Sequence, residues 1–150
     1  MAIYFEAPDL TSSRGWKKIG ALHPTRLETM RRYLPNRPQD SLFTLLTDDK
    51  RLRDVSIAGQ GYAESWALCY HLIRSHPKEF RQYLEVIRKK PVGMGSDPPE
   101  VRVSDFERCF GTSWGKMDTE FLRSVPDWRS LIRSAPIRDA PHVDSNCDPH

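Results

Sequence analysis

The sequence predicts an all-α fold, an irregular array of short helices around one central buried helix at about residues 60–75. Three observations predict it. From Gln60 to Ser75, residues Tyr62, Trp66, Cys69, Tyr70 and Ile73 fall on one stripe, and Ala63, Ala67, Leu68 and Leu72 widen it. A helix apolar over so much of its surface is covered by neighbours. Prolines at 35, 77, 91 and 126 mark where helices start or stop, because proline opens helices well and cannot continue them. No segment alternates apolar and polar residues as a half-buried strand does.

In chain order, Met1 to Ala7 reads as the last turns of a helix whose start is missing, closed by Pro8 and the polar run Asp9 to Gly15. Trp16, Ile19 and Leu22 are isolated apolar residues in a connecting loop. His23-Pro24-Thr25 opens a helix with Leu27, Met30 and Leu34 at helical spacing, and Pro35 stops it. Ser41 is placed to cap a short helix carrying Leu42, Leu45 and Leu46, ended by Asp48-Asp49. The central helix breaks at His76-Pro77. The next helix carries Phe80, Tyr83, Leu84 and Ile87 and closes on Arg88, Lys89 and Lys90, cations favoured at a negative helix end. Residues 92–101 read as a Gly/Pro-rich loop. Ser104-Asp105-Phe106-Glu107 matches a capping box, with Phe106, Cys109 and Phe110 on the buried side and Gly111 as the stop. Trp114, Met117, Phe121 and Leu122 mark a short helix, and Trp128, Leu131 and Ile132 a last one after Pro126-Asp127. One helical domain over residues 1–133 and a disordered tail over 134–150 are the expected organisation.

The chain has 150 residues, of which 38% are hydrophobic and 29% charged, with 12 prolines. That composition implies a small core with exposed irregular segments. The net charge is +3, and the basic clusters at Arg14, Lys17 and Lys18, at Arg31 and Arg32, and at Arg88, Lys89 and Lys90 are separated by acids and apolar residues. A nucleic-acid partner is not implied, since binding domains gather their cations on one face or arm. Cys69, Cys109 and Cys147 are odd in number and far apart, and the first two read as small buried hydrophobes. No apolar run approaches the roughly 20 residues of a membrane span. The start does not read as a signal peptide, with no basic opening and with Glu6, Pro8 and Asp9 interrupting it. Localisation is left open.

No complete catalytic or metal-binding set emerges. A zinc helix needs two ligands one turn apart, whereas His71 and His76 are five apart, on different sides of a helix. His142 and His150 lie in the tail. No Ser sits in a Gly-x-Ser-x-Gly turn, and Ser65 reads as a packing residue. Gly93-Met94-Gly95 lacks the strand and third glycine of a phosphate cradle. Asp48-Asp49 and Glu100 with Asp105 occupy turns and caps.

Several segments in fixed order nevertheless form a pattern: Ala2-x-Tyr4-Phe5-Glu6, Gly20, Arg26-Leu27, Tyr62-Ala63-x-Ser65-Trp66-Ala67-Leu68 with Tyr70 and Leu72, Tyr83-Leu84, and Phe106-x-x-x-Phe110-Gly111. Over about residues 1–125 this resembles the C-terminal half of a domain-of-unknown-function family within the peptidase-MA-like, or gluzincin, zinc metallopeptidases. The resemblance implies a His-Glu-x-x-His helix with two zinc ligands and a general base, and a helix Trp-x-x-Glu-Gly-x-Ala-x-Tyr-Phe-Glu whose first Glu is the third ligand. Matching Ala2, Tyr4, Phe5 and Glu6 puts that ligand before Met1. The implied identity is a helical lobe, truncated at its N-terminus and inactive alone, with zinc only in a full-length parent. The metal is what lowers the pKa of bound water and polarises the scissile carbonyl. The resemblance also offers Tyr62 as an oxyanion-stabilising residue, against simple core packing of its ring. The alternative is a stand-alone helical module that binds another protein through Trp16, Trp114 and Trp128.

Overall fold

The computed structural model describes residues 22–91, 97–111 and 113–133, the last eight by backbone alone. Among them are seven α-helices and no strand, so the all-α expectation holds. The N-terminal Ala2–Glu6 pattern, Trp16 and the 134–150 tail lie outside the described residues.

Helix α1 (Pro24–Tyr33) starts as its sequence dictates. His23 accepts the Arg26 N–H on Nδ1 at 3.3 Å, and Pro24 takes the first helical position, where no N–H is needed. Leu27, Met30 and Tyr33 line its buried face, and a 3-10 turn over Leu34–Asn36 carries Pro35. Helix α2 (Ser41–Thr47) is capped differently from expectation. Asp40 is the N-cap, and the Ser41 hydroxyl turns into the interior. A short α3 (Lys50–Arg53) follows where only a helix end was expected. Asp48 Oδ1 accepts the Lys50 N–H at 2.9 Å and so helps start it.

Helix α4 (Ala58–Ser75) is the central helix, beginning two residues before the predicted start. Ala63, Trp66, Ala67, Leu68, Tyr70 and Leu72 are buried, while Cys69 and Ile73 are half-buried and Tyr62 is exposed. Helix α1 lies along it, α3 and α5 (Pro77–Arg88) pack on it, and α7 (Trp114–Arg133) closes the far side. Helix α6 (Pro99–Phe110) packs on α5 and α2. It begins six residues earlier than the capping-box reading, because Pro99 provides the start and leaves Ser104 inside the helix. Gly111 ends it at φ 57°, the left-handed conformation glycine adopts without strain. Pro126 does not divide the last segment: α7 runs through it as one helix, giving up the hydrogen bond that a residue with an N–H would make.

The core joins Leu27, Met30, Trp66, Phe80, Phe110, Met117, Phe121 and Val125. Each such side chain, fully buried, contributes about 1.5–3 kcal/mol of transfer free energy. Phe106 stacks on Phe110 at 4.4 Å and on Trp114 at 5.0 Å between centroids, and Tyr83 meets Phe106 edge-on at 5.6 Å. Burial pushes the Tyr83 phenol above its ordinary range.

Gly61 sets the spacing between α3 and α4. A Cβ there would sit 2.7 Å from the Arg51 carbonyl oxygen and 3.1 Å from a Leu52 methyl. Backbone cannot yield as a flexible side chain does, so Gly61→Ala is expected to destabilise by roughly 2 kcal/mol through overpacking. Gly59→Ala, with nothing within 4 Å, is expected to stabilise by about 0.5–1 kcal/mol through helix propensity. Urea unfolding of both variants checks the pair.

Candidate functional site

A carboxylate stands in the middle of the most buried helix. Glu64 is 0% exposed, and an ionised carboxylate there is tolerable only when paired and hydrogen-bonded. Both its oxygens are engaged. Oε1 accepts from Arg37 Nε at 2.7 Å, and Oε2 accepts from Arg51 Nη2 at 2.6 Å and from the Ser41 hydroxyl at 2.8 Å. Because Ser41 donates to Glu64, the 2.9 Å contact between Ser41 Oγ and Tyr33 is a phenol donating to the serine. Arg51 Nη2 also donates to the Tyr33 oxygen at 2.9 Å, and Nη1 donates to the Ser41 carbonyl at 2.7 Å. Arg37 extends the network to α7 with two parallel bonds to Asp118, at 3.1 Å and 2.5 Å. Burial pulls the Arg37 guanidinium down, but the bonds to Asp118 and Glu64 outweigh it and hold the group above its ordinary value.

Two guanidiniums and two carboxylates make this set formally neutral. It ties α1, α2, α3, α4, α7 and the turn at Arg37 together. Sequence reasoning missed all four charged members. The signal was present, since a Glu between Ala63 and Trp66 on a buried stripe demands cationic partners.

A second polar group lies at the other end of α4. His71 is 3% exposed, and its Nδ1 is 3.4 Å from the Ser75 hydroxyl. Burial, then the nearby His76, lowers its pKa from 6.5 to about 4, so the ring is neutral near pH 7. The expectation that His71 and His76 occupy different sides of a helix fails. The helix ends at Ser75, and His76, at φ −132° and ψ 51°, swings its ring to 5.6 Å from His71. His76 Nε2 faces Glu120 Oε2 of α7 at 3.4 Å. The two histidines, Ser75, Glu120, Arg123 and Ser124 line a cleft of about 410 Å³. A separate groove of about 430 Å³ between α2 and α6 is lined by Phe43, Thr47, Pro99, Glu100, Val103, Ser104 and Glu107.

Of the site residues expected from sequence, Tyr62 and Trp114 are those whose side chains the structure describes. Tyr62 is 38% exposed, so the core-packing expectation for its ring fails; the Arg26 guanidinium lies over it, 5.7 Å from the centroid. Trp114 is half-buried rather than presented. It stacks on Phe106, meets Phe43 edge-on at 5.5 Å, and donates Nε1–H to Glu107 at 2.6 Å. The side chain of Trp128 and all of Trp16 lie outside the described residues. Cys69 and Cys109 are half-buried free thiols, both pushed up by burial.

The fold and its neutral internal ion cluster define an all-α helical domain braced through its central helix. The chain belongs to the family described as protein of unknown function (DUF1570), which matches residues 1–93. No curated protein and no solved structure matches it. Helices α6 and α7 fall beyond the matched span, although Asp118 of α7 completes the cluster.

Two outcomes are expected. Glu64→Gln leaves two buried guanidiniums short of a counter-charge and is expected to destabilise by roughly 3–5 kcal/mol, the cost of breaking a buried pair. Asp118→Asn, at a side chain 17% exposed, is expected to cost less; denaturant midpoints give the order. For His71 the folded pKa lies below the unfolded one, so the unfolded chain takes up the proton first. Its contribution is therefore complete above pH 6.5 and is lost as pH falls towards 4. That loss is at most about 3 kcal/mol. His71→Phe is expected to flatten the stability-versus-pH curve between those values, measured by urea unfolding at half-unit pH steps.

Proposed function

We propose that this chain serves as the helical lobe of a gluzincin-like zinc peptidase domain, forming a wall of the cleft while the zinc and its ligands belong to the rest of such a domain. One observation carries the reading. The motif behind the peptidase resemblance, Tyr62 to Leu72, folds as core scaffold in all but one of its aromatics. Ala63, Trp66, Ala67, Leu68, Tyr70 and Leu72 are buried, and Tyr62 alone among Tyr62, Trp66 and Tyr70 is turned to the surface. A wall needs this division, with packing residues inside and one hydrogen-bond donor outside.

The fully buried carboxylate supports the same reading. Glu64 has both oxygens committed to Arg37, Arg51 and Ser41. It acts as a brace, and neither oxygen is left to hold a metal or take a proton from water. In the complete domain Tyr62 donates its hydroxyl to the oxyanion that develops at the scissile carbonyl. The lobe contributes that donor and the rigidity behind it.

The purified chain is expected to contain no stoichiometric zinc and to keep its thermal midpoint in chelator. A zinc ion per chain, or peptide hydrolysis that persists through purification, overturns the reading. Joined to a family segment that carries His-Glu-x-x-His, the chain is expected to complete a peptidase in which Tyr62→Phe lowers kcat by about a hundredfold with little change in KM. An unchanged kcat removes Tyr62 from the chemistry.

A further inference from the structure

The cleft between the end of α4 and α7 differs in its lining from the groove between α2 and α6. All six of its lining residues, His71, Ser75, His76, Glu120, Arg123 and Ser124, carry hydrogen-bonding side chains. The α2–α6 groove, by contrast, is floored by Phe43, Pro99 and Val103. At about 410 Å³ the cleft is a shallow, open depression that leaves a bound molecule partly in water.

Its charges are separated. Glu120 and Arg123 stand three apart on α7, a spacing at which opposite charges on a helix commonly pair. Here they do not. Glu120 turns Oε2 to His76 Nε2 at 3.4 Å, its Oε1 has no hydrogen bond among the described residues, and Arg123 makes no ion pair among them. Ser124 donates its own hydroxyl to the Phe121 carbonyl at 2.6 Å, which leaves its oxygen lone pairs as acceptors. His71 forms the buried wall. It is 3% exposed and its Nε2 has no hydrogen-bond partner.

We propose that this cleft binds a small zwitterion, a free α-amino acid. Its carboxylate pairs with Arg123 and its ammonium with the open oxygen of Glu120. An uncharged His71 suits that role, because a cation at its place would bias the cleft towards simple anions. Charge-assisted hydrogen bonds at both ends give the selectivity, since a ligand with one charge leaves the other group unanswered. The site is independent of the peptidase-lobe reading and lies on residues that reading does not use.

The probe is L-alanine, titrated into the full chain at pH 7 and followed by the imidazole NMR signals of His71 and His76, with calorimetry alongside. Saturable shifts of both signals are expected. Acetate and methylammonium, each carrying one charge, are expected to bind at least about tenfold more weakly. Arg123→Gln and Glu120→Gln are each expected to weaken alanine by about tenfold or more, and Arg123→Lys to retain most of the binding. Unfolding midpoints of the variants confirm that they fold, since Arg123 is exposed and Glu120 only half-buried. Absence of saturable shifts overturns the proposal. So does acetate binding as tightly as alanine and insensitive to Glu120→Gln, which marks a carboxylate site in which the ammonium has no partner.

Discussion

A carboxylate placed where water cannot reach it constrains everything around it. Glu64 sits one residue from Ala63 and two from Trp66, both fully buried. Left unpaired, its charge would be untenable. The fold answers by bringing Arg37 from the turn after α1, Arg51 from α3 and the Ser41 hydroxyl from α2 to its two oxygens. Each of those positions then acquires a further obligation. Arg51 reaches Glu64 because α3 lies against α4 at Gly61, where the Arg51 carbonyl oxygen is 2.7 Å from where a Cβ would stand. Arg37, itself 3% exposed, needs a second anion, and Asp118 supplies it from α7.

Such a cluster is a poor source of stability relative to an apolar core of the same shape, because desolvating four charges offsets much of their attraction. Its value lies in register. A leucine in place of Glu64 would tolerate α3 or α7 sliding by part of a turn, since apolar contacts are non-directional. A bidentate carboxylate does not. The Arg37–Asp118 pair fixes α7 along its axis, and Arg51 fixes a four-residue helix too short to hold itself together. Away from the cluster, α5 and α6 rely on the ring stack of Tyr83, Phe106, Phe110 and Trp114, and on ion pairs of Lys90 with Asp97 and Asp105 and of Arg102 with Asp49.

Local chemistry made much of the fold legible. Pro24, Pro77 and Gly111 act at the positions where their backbones demand it, and the α4 stripe identified the central helix. Misreadings arose where tertiary contacts overrode a local signal. Ser104 with Glu107 has the spacing of a capping box, yet Pro98-Pro99 begins the helix first. Ser41 has a cap's chemistry, yet Glu64 captures its hydroxyl. The candidate site was less legible still. A helical wheel separates His71 from His76 only while the helix lasts, and the chain leaves helical geometry at His76. Trp114 is an exposed contact only in the alternative reading, and nothing in the sequence names Phe43, Phe106 and Glu107 as the groups around it. Glu64 was the readable exception, since an acid inside an apolar stripe implies buried cations even though their identities depend on the fold.

The family match ends at residue 93, but the physical unit does not. Asp118 balances Arg37, and Met117, Phe121 and Val125 are buried in the same core as Trp66. The two regions with chemistry left over, Tyr62 and the His71–His76 cleft, are attached to opposite ends of one rigid element. Nine helical steps separate Tyr62 from His71, about 14 Å along the axis. Glu64 and its partners lie between them. A ligand at one end cannot touch the other, so any influence between them has to pass through the braced stretch of α4. An ion cluster with fixed donors and acceptors resists small displacements, so the two ends are expected to behave as separate sites on a shared frame.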